Sequence, residues 1–322
     1  MLTEFAFTPS IFDEDAHSDK EAWRDQLKEL GRNMFPRVSA WPVLVSDLYS
    51  GSWSQMAAQT VKAIKDQRAR ILCEGILKNM LKTLVTRPAC GDWPDEDVAW
   101  GREAIASHHI EPIERIVTNS STKTIVLEEF RLIRSLDEVE DGGFWRGIVS
   151  DASPRMIITE QIDLLKKLWM HSEWIALINP FSCGSEQEFA LALITVALGR
   201  DTCFGTPKFE LHSQDDKKWV NIEAQIRDRL SHGQTVSIHH WPKLLDRMVI
   251  AGTFSLESDG TKLKNARWGV SMSHVAHGTE PNAPLTEWKL LRPEPLDYWF
   301  RKYVKEDAAD KPTPNSVTVT IR

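Results

Sequence analysis

Between Pro154 and Ile250 the sequence switches period again and again, and that alternation limits the fold more than any other feature. Ile158, Ile162, Leu165 and Trp169 recur at helical spacing, behind Ser153-Pro154 as cap and first-turn pair. Residues 174–178, WIALI, form a continuous apolar run, the pattern of a strand covered on both faces. Ser185 and Glu188 read as a capping box for the apolar helix FALALITVALG. KFELHS at 208–213 is the next strand, and Trp219, Ile222, Ile226 and Leu230 mark the next helix. Val236, Ile238 and His240 alternate with Ser237 and His239 as a third strand, which Pro242 ends. Strands separated by helices favour a parallel sheet. Three β-prone runs follow, at 247–254, 266–273 and 285–291, spaced too closely for crossovers and so expected to pair antiparallel. Residues 293–303 read as a closing helix.

The first half has a different texture. Trp23, Leu27, Leu30 and Met34 line one helical face, and helices are expected over 55–65, 69–86 and 95–107. Phe5, Phe7 and Ile11 suggest an edge strand or a tucked arm, 43–48 is β-prone, and 125–127 reads as a strand. The expected fold class is therefore α/β. It comprises a mainly helical N-terminal region over 1–152, a mixed-sheet α/β domain over 153–304, and a mobile tail over 305–322. In that tail SVTVTI alternates like a strand, able to join a sheet or to pair with a partner.

The hinge of the second half is TVSIHHWPKLLDRMVI at 235–250, which gathers two histidines, a lysine and an Asp-Arg pair at strand ends. His239 and His240 point to opposite faces, so only one of them can serve a given site. A phosphodiesterase reading makes His240 the nucleophile and Lys243 the phosphate clamp, with Asp246 orienting the histidine and Arg247 holding a second oxygen. Glu210 and His212 share one face of their strand and are candidates for substrate binding in the same cleft, as an acid and a base. The bland alternative is a strand end carrying a structural Asp-Arg ion pair. His108-His109 with Glu111 has no matching ligand pair elsewhere, so no metal site is expected. No cofactor is expected either, since neither GxGxxG nor GxxxxGK[ST] occurs.

The order of elements, with WIALINPF, KFELHS, VSIHHW and LLDRMVI around the hinge, resembles phospholipase D-like folds. It is most similar to single-copy forms such as the MIT C-terminal-type domain of bacterial proteins. The opening EFAFTPSIF and the GSW turn are similar to the same group. Two departures stand out. Leu245 occupies the place of the histidine before Asp246-Arg247, and two residues rather than one separate His240 from Lys243. The resemblance with these departures implies a pseudoenzyme: a non-catalytic or weakly active subunit, binding or assembling within a bacterial nucleic-acid-processing or antiviral defence complex. Protein partners are implied, with nucleic acid as a further ligand. The alternatives are an active phosphodiesterase or nuclease using His240, Lys243 and Asp246, and an interaction module acting through the C-terminal strand.

Composition sets outer limits. In 322 residues, 42% hydrophobic content suffices for a core, and the net charge of −7 argues against a general nucleic-acid coat. Four scattered cysteines without a CxxC pair and the acidic opening without a signal-peptide pattern point to a cytoplasmic protein. No apolar stretch approaches the roughly 20 residues of a membrane span.

Overall fold

The computed structural model describes residues 3–34, 43–126, 132–141, 144–145, 151–155, 157–180, 184–199, 205–214, 221–273, 286–291, 293–304 and 315–320. The chain divides into two compact units, Leu2–Val149 and Ser150–Arg322.

The N-terminal unit is helix-rich, but its helices wrap a sheet. The order of elements is β1 (Glu4–Phe7), α1 (Lys20–Met34), β2 (Leu44–Asp47), α2 (Leu48–Ala63), α3 (Gln67–Met80), β3 (Leu84–Thr86), α4 (Asp97–Ile110), β4 (Arg115–Thr118), α5 (Ser120–Val126) and β5 (Ile133–Ser135). The five strands pair in parallel in the order β3-β2-β1-β4-β5. At three or four residues each they are too short to show a clear period of two. The end of the helix expected over 69–86 is β3, and Ile125 and Val126 belong to α5 rather than to a strand. Phe5, Phe7, Trp23, Leu27, Trp53, Cys73 and Trp100 close the core around β1. Tyr49, Ser50 and Gly51 hold left-handed backbone where β2 turns into α2.

The C-terminal unit follows the expected alternation closely. It contains β6 (Asp151–Ala152), α6 (Ile158–Met170), β7 (Trp174–Asn179), α7 (Gly184–Leu198), β8 (Lys208–Gln214), α8 (Ile222–Arg227), β9 (Thr235–Trp241), β10 (Met248–Leu256), β11 (Lys262–Met272), β12 (Trp288–Leu290), α9 (Pro293–Tyr303) and β13 (Asn315–Thr320). The eight strands lie in the order β13-β9-β8-β7-β10-β11-β12-β6. β7, β8 and β9 are parallel, and the pairs outside them are antiparallel, so the sheet is mixed. The tail strand is part of this sheet: β13 pairs with β9 from Asn315 opposite His240 to Thr320 opposite Thr235. Residues 305–314 of the expected mobile tail lie outside the described residues.

Each face of this sheet has its own helices. Trp174 meets Phe300 of α9 at 5.6 Å between ring centroids. A Cβ at Gly269 would fall 2.6 Å from the Leu296 side chain, so a larger residue there would force the Leu296 and Leu291 side chains of this packing to shift. Asn179 points to the opposite face by the period of two, where its amide donates to Glu186 of α7 at 2.9 Å. Among the described residues, no helix is long and apolar enough to cross a membrane.

Candidate functional site

Parallel pairing of β8 with β9 builds the site. His212 stands opposite His239, and Glu210 opposite Ser237. In-register residues of neighbouring strands share a face, so Glu210, His212, His239 and Trp241 all project toward the α9 side. Glu210, His212 and His239 bring one ligand atom each within 4.8 Å of one another. Glu210 and His212 are buried and His239 is half-buried.

Each member is held by a named neighbour. Lys264 of β11 reaches across and forms an ion pair and hydrogen bond with Glu210 Oε1. Glu210 Oε2 lies 3.5 Å from His212 Nε2. The indole N–H of Trp241 donates to His212 Nδ1 at 3.0 Å. The His212 ring stacks on His239, 4.6 Å away between centroids, and the Trp241 ring lies nearly parallel to it at 5.9 Å. Trp241 in turn meets Tyr303 of α9 edge-on at 6.2 Å.

Because an indole can only donate, the Trp241 bond keeps Nδ1 of His212 as the acceptor. In the neutral ring the proton then sits on Nε2, toward Glu210. Burial alone would raise the Glu210 carboxyl. Contact with the His212 ring and the Lys264 ammonium outweighs it and holds the group well below the usual carboxylate range, at about 2. Burial lowers the His239 imidazole to about 4, with the positive potential of His212 and Lys264 adding to it against Glu210. At neutral pH the site therefore presents an ionised carboxylate beside an uncharged, half-exposed imidazole. That combination serves proton transfer, nucleophilic attack or metal ligation.

This cluster overturns the reading of the chain as a non-catalytic pseudoenzyme subunit. Burying a carboxylate and an imidazole beside a half-buried lysine and a second imidazole is costly unless their geometry is used. Leu245, whose presence argued for inactivity, is 67% exposed and takes no part in the cluster.

The other sequence-derived candidates go elsewhere. His240 turns to the opposite face, where its Nδ1 is hydrogen-bonded to Ser213 Oγ at 2.8 Å. There it borders an open cleft of about 460 Å³ with Asn221, Ile222, Arg227 and Asp228. Lys243 is exposed. Asp246 accepts from the Tyr303 hydroxyl at 3.0 Å and lies 3.8 Å from Lys302. Arg247 is buried, 3.0 Å from Glu186 and 5.1 Å from the Phe189 ring centroid. Asp246 and Arg247 thus serve different neighbours rather than each other. Glu210 and His212 do come together, but with His239 and not with His240.

Sequence reasoning passed over His239, Trp241 and Lys264 as site residues. The signal for the first two was present as Glu-x-His on one strand and His-x-Trp on the next. It becomes informative only once the strands are known to be neighbours in that register. Lys264 comes from β11, three strands from β8 with β7 and β10 between them, and nothing local marks it. No protein-family model matches the chain, and no curated protein is significantly similar to it.

Proposed function

We propose that the C-terminal unit is a phosphodiester hydrolase, with nucleic acid as the substrate class, whose centre is Glu210, His212, His239 and Lys264. The observation that carries this reading is the convergence of a buried carboxylate and two imidazoles within ligand distance of one another. Lys264 beside them supplies the cation that a phosphate needs. His239 supplies the neutral nitrogen at the half-exposed side. We read this unit as phospholipase D-like from the sequence resemblance, and the mixed α/β sheet agrees with that reading at the level of fold class alone. Cys73 and Cys90 are free thiols, which fits a reducing compartment such as the cytoplasm.

The test is hydrolysis of bis(p-nitrophenyl) phosphate and of single- and double-stranded DNA and RNA. His239→Ala and Lys264→Met should each lower turnover by about 100-fold or more, whereas His240→Ala should leave it near the wild-type rate. Loss of turnover in His240→Ala and Lys243→Ala with His239→Ala still active would move the site to the opposite face. Wild-type protein that cleaves none of these substrates would end the hydrolase reading.

A further inference from the structure

The contact between Glu210 and His212 is long for a hydrogen bond. Charge-assisted pairs close to about 2.7–2.9 Å, yet Oε2 and Nε2 stand 3.5 Å apart. Two ligand atoms on one tetrahedral ion with bonds of about 2.0–2.1 Å are separated by about 3.4 Å. The pair therefore sits at the edge length of a coordination tetrahedron. The carboxylate is also divided between two tasks: Lys264 holds Oε1, and Oε2 faces His212. A ligating carboxylate is ordinarily steadied in this way through its second oxygen. A ring nitrogen of His239 completes three donors within 4.8 Å, and two nitrogens with one oxygen match a zinc-type ion better than magnesium or calcium.

We propose that Glu210, His212 and His239 bind one divalent transition-metal ion of the zinc type, and that Trp241 opposes its binding. A metal-bound imidazole ordinarily donates its other N–H to a neighbour. His212 Nδ1 instead accepts from Trp241. Ligation through Nε2 moves the ring proton to Nδ1, where it meets the indole N–H, so the Trp241 hydrogen bond and the ion exclude each other. His239 must also turn off its stack on His212, since near-parallel rings 4.6 Å apart do not aim their nitrogens at a common point. The site thus has a closed arrangement, latched by Trp241, and an open one that holds the ion.

The proposal deepens the hydrolase reading, and it is tested without it. Full-length protein is stripped with chelator, and Zn2+, Co2+ and Mg2+ binding is measured by equilibrium dialysis and calorimetry. The d–d spectrum of Co2+ reports the coordination. The wild type should take up one Zn2+ at this site and give a tetrahedral Co2+ spectrum, with Mg2+ bound far more weakly. His239→Ala should lose that spectrum while unfolding at the wild-type temperature in chelator; Glu210→Gln is the second variant if it does not. Trp241→Phe keeps the ring and removes the donor, and should bind Zn2+ about two- to tenfold more tightly. A Zn2+ affinity unchanged in both His239→Ala and Glu210→Gln would place the ion elsewhere and overturn the proposal. Absence of binding in wild type and Trp241→Phe alike would do the same. Equal or weaker binding in Trp241→Phe would remove the latch. Hydrolysis by a protein that takes up no Zn2+ would sink the metal site and leave the hydrolase reading standing; metal binding without hydrolysis would do the reverse.

Discussion

Each unit gathers polar side chains around its central parallel strands, and the two do opposite things with them. In the N-terminal unit the strand order reverses between β1 and β4, the point where open α/β sheets usually bind ligands. Here that point is knotted shut. Thr8 donates to Thr118 at 2.9 Å, and Thr118 donates to Asp97 at 3.1 Å. The Asn119 amide reaches both Ser10 Oγ at 2.7 Å and Asp97. The Ser10 backbone N–H donates to the second Asp97 oxygen at 3.1 Å. In the C-terminal unit Glu210, His212 and His239 converge at ligand spacing, and one imidazole stays half-exposed. Polar residues at the end of a strand are therefore no sign of a site in themselves. What separates the two cases is geometry: the N-terminal groups are bonded pairwise, whereas the C-terminal ones converge three at a time at ligand spacing.

The sharpest way to test that contrast is to attack each unit and see whether stability or activity falls. The largest stability effect is expected at Glu4. Its carboxylate is fully buried, accepts from both Arg87 Nε and Nη2, at 2.8 and 2.7 Å, and accepts from Ser46 at 2.7 Å. Arg87 also donates to the carbonyls of Ser107 and Glu111, tying α4 to the sheet. Glu4→Ala leaves a buried guanidinium without its counter-charge and should cost about 3–5 kcal/mol. Chemical denaturation should show the N-terminal unit's transition moving while Zn2+ binding by the C-terminal unit persists. An unshifted transition would show that Arg87 finds another acceptor.

Next in size is removal of residues 307–322. β13 covers the outer edge of β9, the strand that carries His239, with Val319 buried against it. Val319 alone is worth about 1.5–3 kcal/mol of burial, and the deletion also bares the β9 backbone edge. We expect the melting temperature of the C-terminal unit to fall by several degrees. No change would mean that β13 docks without contributing, and would return the strand to the role of a partner-binding tail. Asp97→Ala ranks third, at about 1–3 kcal/mol, since three donors lose their acceptor at once. Only the N-terminal transition should respond.

The two halves were also unequally legible in the sequence. The C-terminal unit announced itself because WIALI, KFELHS and VSIHHW are long enough to reveal their period, and the helices between them dictate parallel pairing. Its three later strands and α9 were equally readable. The N-terminal sheet was not, because strands such as Leu84–Thr86 and Arg115–Thr118 offer three or four residues, fewer than a period needs. Its helices, with Trp23, Leu27 and Leu30 on one face, dominated the reading. At the site, Glu210 and His212 could be paired by counting along one strand. Choosing His239 over His240 required knowing which face α9 covers, and finding Lys264 required the order β8-β7-β10-β11. Those are properties of the sheet, and no local window contains them.

The smallest effect, and the one that probes the site without altering the fold, is the pH dependence that His239 confers. Its imidazole lies at about 4 in the folded protein, against an ordinary value of 6.5, chiefly because burial disfavours the charged ring. A histidine depressed on folding binds fewer protons in the native state than in the unfolded one. The unfolded chain therefore gains protons first as the pH falls. The stabilisation is complete above about 6.5 and is lost progressively between 6.5 and about 4. Glu210 adds a second, lower window of the same sign, between its ordinary 4.5 and about 2. The N-terminal unit holds His17, also lowered mainly by burial, so its own transition should show some loss over the upper window. His239→Gln separates the two. In chelator, the variant should flatten the pH 6.5-to-4 loss of the C-terminal transition and leave that of the N-terminal transition as it was. A C-terminal transition that keeps its full wild-type pH dependence in the variant would mean that His239 is hydrated like a surface histidine. The contrast between a closed knot and an accessible, ligand-ready cluster would then fail at the residue on which it rests most heavily.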